Sequence, residues 1–222
     1  MSNSSPHARA LNAARFYAIL DTGYVPRSRW RPTCAALIEG GAGLVQIRAK
    51  RETPAERAAL LEEVLPLFAD RTAAPILVIN DDLELAARHP LVGLHIGQED
   101  TPPEIARERL GPGRIIGLST HAHAQAAAAL ALPPGVIDYF AVGPVFSTQT
   151  KPDYTPVGLT LVREVAAMRP RLPWFCIGGI TRATIAEVVA AGARRVVIVS
   201  DVLTAADPAG AIRTALKSLP TG

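Results

Sequence analysis

A chain of 222 residues, 49% of them hydrophobic and 19% charged, has the material for one domain with a substantial core and is too apolar to be disordered. No apolar run reaches the roughly 18 residues of a membrane helix, and the opening MSNSSPHARALNAAR lacks the apolar stretch of a secretory signal, so a cytoplasmic protein is expected. The net charge is +3, but Lys and Arg are scattered and aromatics amount to 5%, which argues against nucleic acid as a partner and suits small anions.

Residues 1–13 are expected to form a flexible tail ahead of a single catalytic domain over 14–222. Strand-like runs then follow in order: FYAIL (16–20), LVQI (44–47), PILVI (75–79), VGLHI (92–96), RIIGLS (114–119), DYFAV (138–142), WFCIG (174–178) and RVVIVS (195–200). Helix-like segments separate them, among them 55–70, 122–132, 184–192 and 208–219. Gly40 and Gly192 fit helix C-termini, where a left-handed residue closes the last turn. Strands apolar on both faces, alternating with helices, indicate a parallel sheet covered by helices. About eight such units in this length point to a (β/α)₈ TIM barrel, with an open doubly wound sheet as the runner-up. Cys34 and Cys176 read as small buried hydrophobes and imply neither a disulfide nor a metal site.

In a barrel, chemistry belongs at the C-terminal strand ends. After the second strand, Gln46, Arg48 and Lys50 alternate in QIRAK, a period that sends all three to one side and suits an anion such as diphosphate. After the third and fourth strands come Asn80, Asp81 and Asp82, then Gln98, Glu99 and Asp100. Asp81 and Asp100 are the better pair for a hard cation such as Mg²⁺, whereas Asp82 and Glu99 read as helix N-caps. His95 reads as a core histidine. Ser119, Thr120 and His121 follow the fifth strand, where Ser119 or Thr120 also suits a helix cap, and no GxSxG elbow supports acyl transfer. After the sixth strand, GPVFSTQTKPD carries Ser147, Thr148, Thr150 and Lys151. Gly178 and Gly179 after the seventh and Ser200 after the eighth stand where barrels often hold a phosphate on backbone N–H groups. No side chain stands out as an indispensable base, which suggests chemistry driven by departure of a diphosphate.

QIRAK, IND, HIGQED, GLSTH, GPVFSTQTKPD, IGGI and VVIVS, in this order and spacing, resemble the thiamine-phosphate synthases from about residue 16 to the C-terminus. The resemblance implies a TIM barrel that joins an aminopyrimidine diphosphate to a thiazole phosphate, or its carboxylated form, giving thiamine monophosphate and diphosphate. It also implies one Mg²⁺ per active site, held by Asp81 and Asp100. Gln46, Ile47, Arg48, Ala49, Lys50, Asn80, Ser119 and Lys151 would bind the pyrimidine diphosphate, and Arg48, Lys50, Ser119 and Lys151 would be catalytic. Thr148, Gln149, Thr150, Gly179, Val199 and Ser200 would bind the thiazole phosphate. Partners would be small phosphorylated molecules, with no nucleic acid or membrane; assembly into a homo-oligomer is left open. The chain departs from the family pattern at Asp82, where Arg is common, at Arg194-Arg195, where Asp-Gly is frequent, and at Asp201, where a small residue is usual. The rival readings are a thiazole tautomerase-like relative and a thiamine-phosphate-sensing regulator of the same fold.

Overall fold

The computed structural model describes residues 6–69, 75–148 and 155–221. Eight strands run in parallel: β1 (Phe16–Asp21), β2 (Leu44–Arg48), β3 (Ile76–Asn80), β4 (Val92–Ile96), β5 (Ile116–Thr120), β6 (Tyr139–Val142), β7 (Trp174–Cys176) and β8 (Val196–Val197). Each pairs with the next in sequence and β1 also pairs with β8, so the sheet closes into a barrel rather than lying open. The surrounding helices are α1 (Pro6–Ala13), α2 (Trp30–Glu39), α3 (Pro54–Val64), α4 (Leu83–Arg88), α5 (Pro103–Leu110), α6 (His123–Ala131), α7 (Gly158–Ala167), α8 (Ile185–Ala190), α9 (Ser200–Leu203) and α10 (Pro208–Lys217).

The strands are apolar on both faces because each face has its own core. Phe16, Ala18, Leu20, Val45, Ile47 and Ile79 pack outward among helix residues such as Leu37, Leu61 and Ile212. Tyr17, Ile19, Leu44, Val78, Tyr139 and Phe175 fill the barrel interior. Part of the expected tail is structured: residues 6–13 form α1, and Leu11 joins the interior cluster with Ala14. Two local expectations also change. The left-handed residue after α2 is Gly41 (φ 95°), while Gly40 remains right-handed, because the chain continues one residue further before it turns. The last strand is two residues long, since the backbone enters α9 at Ser200.

Inside the barrel Tyr17, Tyr139 and Phe175 meet edge to face, with ring centroids 5.4–5.8 Å apart. Such pairs contribute about 0.5–1.5 kcal/mol each beyond their buried area. Gly117 on β5 makes room for this cluster, because a Cβ there would lie 2.1 Å from Tyr139 Cζ. Gly117→Ala is therefore expected to destabilise the fold by roughly 1–3 kcal/mol, the usual cost of overpacking. The shift of the urea midpoint measures it, and an unchanged midpoint would count against this packing account.

Candidate active site

The C-terminal strand ends open on one cavity of about 800 Å³, part of it continuous with solvent. Gln46, Arg48, Asn80, Ser119, Thr148, Gly179, Val199 and Ser200, all selected from the sequence, line it. Ile47 and Ala49 turn their side chains the other way, into the layer between sheet and helices. Only their backbone groups remain for a ligand. Gln149, Thr150 and Lys151 lie outside the described residues.

On β2, Gln46 is 2% exposed and its Nε2 donates to Tyr17 Oη at 2.5 Å. Tyr139 Oη donates to the same Tyr17 oxygen at 3.2 Å. His95 continues the chain of contacts, with Nδ1 3.0 Å from Tyr139 Oη and Nε2 2.9 Å from Ser119 Oγ. Burial pushes both phenols well above their ordinary range, so they stay neutral under the cavity floor. His95 is thus a buried, hydrogen-bonded histidine, and it connects Ser119 to Gln46 across the barrel.

Arg48 donates from Nη1 to Asp21 Oδ2 at 2.7 Å, and the backbone N–H of Gly23 donates to Asp21 Oδ1 at 2.9 Å. Side-chain exposure is 16% for Arg48 and 4% for Asp21. Asp21 escaped the sequence reading. Its signal was available: it is a polar residue at the C-terminal end of β1, the position that marked every other site residue.

Lys50 forms an ion pair with Asp81 Oδ2, and Asn80 Nδ2 donates to the same oxygen at 2.6 Å. Asp81 adopts φ 62°, in the left-handed region. Asp100 accepts from the backbone N–H of Gly97 at 2.7 Å. Desolvation, followed by its hydrogen bond to Asp81, holds the Asp100 carboxyl above the usual range, against the lowering effect of Gly97 and Lys50. Two carboxylates from adjacent strand ends therefore share one place. Among the described residues no group of three or more His, Cys, Asp or Glu gathers to hold a metal. A cation here would rely on these two carboxylates and ligand oxygens, the donor set Mg²⁺ commonly takes.

Asp82 does cap a helix: its Oδ1 accepts from Leu85 N at 3.0 Å at the start of α4, and its Oδ2 accepts from Arg57 Nε at 2.9 Å. Its charge is thereby committed elsewhere. Glu99 caps nothing, because α5 begins behind Pro102. Neither Ser119 nor Thr120 caps α6, whose N-cap is Ala122; Thr120 Oγ1 instead donates to Ala141 O at 2.9 Å.

The loops after β6, β7 and β8 stack on one another. Val145 N donates to Ile177 O at 2.8 Å and Phe146 N to Gly178 O at 2.9 Å. Gly179 has φ 64°, and a Cβ there would lie 2.4 Å from Ser147 O, so only glycine permits this approach. Asp201 turns to Arg182, which donates from its backbone N at 3.1 Å and from Nε at 2.8 Å. Arg195 donates to Ala14 O and Asn12 O, on the opposite side of the barrel from the mouth.

A family model described as thiamine monophosphate synthase matches residues 16–202. The chain belongs to that family. The thiamine-phosphate synthase of Arthrobacter sp. (strain FB24) is 39% identical over 232 residues, covering 96% of this chain and 97% of its own. That of Mycobacterium sp. (strain KMS) is 43% identical over 186 residues, covering 80% of each. Among solved structures, the thiamine phosphate pyrophosphorylase from Pyrococcus furiosus matches with a TM-score of 0.79 and 28% identity, covering 93% of this chain and 96% of that one. The family and the barrel anticipated from the short motifs are both borne out.

Proposed function

We propose that this chain joins the diphosphate of 4-amino-5-hydroxymethyl-2-methylpyrimidine to a methylthiazole bearing a phosphoethyl group, or its carboxylated form. The products are thiamine monophosphate and diphosphate. The observation that carries this reading is the cluster of Lys50, Asp81 and Asp100 at adjacent strand ends, beside Arg48 on the wall of the cavity. A thiazole tautomerase or a sensor of thiamine phosphates would have no evident use for that set. Small phosphorylated partners and a cytoplasmic setting accompany the reading, and no described helix is long and apolar enough to cross a membrane.

Arg48, Lys50 and Lys151 receive the diphosphate, while Gln46, Asn80 and Ser119 hold the pyrimidine end, with backbone contacts from Ile47 and Ala49. Tyr17, Tyr139 and His95 keep Gln46 and Ser119 fixed from below. Thr148, Gln149, Thr150, Gly179, Val199 and Ser200 hold the thiazole phosphate. Asp81 and Asp100 would hold one Mg²⁺, which supplies positive charge to the diphosphate. In the reaction the bond from the exocyclic methylene to the diphosphate oxygen breaks, and its electrons leave with the oxygen. The ring spreads the resulting positive charge, and the thiazole nitrogen then forms the new carbon–nitrogen bond with its own lone pair. No proton is removed from the nucleophile, which agrees with a site organised around anions rather than a base.

Purified protein given Mg²⁺ and both substrates is expected to release diphosphate and form thiamine monophosphate in equal amounts. No product from verified substrates would sink the reading.

A further inference from the structure

The two cations of the mouth are held very differently. Arg48 is locked: its carboxylate partner Asp21 is 4% exposed and also takes the Gly23 N–H. Lys50 is 51% exposed at the side chain, and its partner Asp81 is 22% exposed. Ion pairs this open contribute about 0–1 kcal/mol, so the ammonium leaves its carboxylate at little cost. Lys50 also borders a shallow pocket with Arg48, Arg51 and Thr22, which gives its flexible stem somewhere to turn.

Asp81 Oδ2 is meanwhile crowded. It takes the Lys50 ammonium and the Asn80 amide. A hard divalent cation seeks the same anionic oxygens. An ammonium and a divalent cation repel each other across a shared oxygen, so occupation by one weakens the other. Once displaced from Asp81, Lys50 needs a new anionic partner, and a diphosphate on the Arg48 side of the mouth supplies one.

We propose that Lys50 competes with the divalent cation for Asp81 and is handed to the diphosphate when the cation binds, so that cation and diphosphate promote each other's binding. This rests on the cation and diphosphate reading above and goes beyond it. Lys50 is then more than a phosphate contact: it couples the two ligands. Coupling is reciprocal, so the factor by which diphosphate tightens the cation equals the factor by which the cation tightens diphosphate.

The test uses Mn²⁺, followed by electron paramagnetic resonance, with and without inorganic diphosphate, correcting for their complex in solution. Lys50→Met is expected to bind Mn²⁺ alone at least about fivefold more tightly than wild type, the lower end of ordinary coupling factors. The extra tightening produced by diphosphate should shrink by a similar factor. Lys50→Arg, which keeps the charge, should return Mn²⁺ affinity toward wild type. Lys50→Met binding Mn²⁺ alone no more tightly than wild type would overturn the proposal. Asp81→Asn and Asp100→Asn are the separate control. If neither weakens Mn²⁺ binding, the cation assignment itself fails and the coupling falls with it.

Discussion

Asp100→Ala is expected to lower turnover by more than about tenfold, equivalent to about 1.4 kcal/mol or more of barrier, while leaving stability within about 0.5 kcal/mol of wild type. The two halves of this expectation come from the same geometry. Asp100 sits on a strand-end loop, accepts one backbone N–H from Gly97, and otherwise faces Asp81, a second carboxylate. Removing it loses the Gly97 hydrogen bond and a contact with a second carboxylate that costs about as much as it returns, so the fold has little to lose. A bound cation, by contrast, loses one of its two protein carboxylates. The deficit should therefore narrow as Mg²⁺ is raised, because weaker cation binding is overcome by concentration. Wild-type turnover at low Mg²⁺ would remove Asp100 from the assignment. A deficit that ignores Mg²⁺ altogether would point to a role for this carboxylate other than holding the cation.

The sequence disclosed those features whose cause is local. Parallel barrel strands must be apolar on both faces, and β4 was legible residue for residue as Val92–Ile96 for that reason. QIRAK announced its cavity-facing side through its alternation: Gln46 and Arg48 line the same cavity, whereas Lys50, past the end of β2, lines the neighbouring pocket instead. Features that depend on distant partners were not legible. Tyr17 and Tyr139 read as ordinary members of apolar strands, yet their hydroxyls link Gln46 to His95 through contacts between residues 29, 44 and 122 positions apart in the chain. Glu99 looked like a helix cap because an acidic residue preceded an expected helix, but Pro102 takes that position. Asp82 was legible as a helix N-cap, but its second partner, Arg57, lies on α3 and was not.

Arg48→Met should separate stability from turnover. The pair it breaks is buried on the Asp21 side (4% exposed) and half-buried on the Arg48 side (16%), so the variant leaves the Asp21 carboxylate in the barrel wall without its countercharge. Breaking a fully buried ion pair from one side costs about 3–5 kcal/mol, and the half-buried arginine and the surviving Gly23 N–H bring the expected loss to about 3 kcal/mol or less. Asp21→Asn added to Arg48→Met removes the stranded charge, and the double variant should regain most of that loss. Turnover should not follow. The proposed diphosphate contact is gone in both variants, so kcat/KM for the pyrimidine diphosphate should stay more than about tenfold below wild type in each, a deficit of about 1.4 kcal/mol or more. Urea midpoints and steady-state kinetics on the single and double variants make the comparison. Turnover returning together with stability would mean that Arg48 only neutralises Asp21 and that the diphosphate is gripped elsewhere. Stability returning alone would give the two residues distinct roles, Arg48 facing the substrate and Asp21 fixing one edge of its guanidinium from behind.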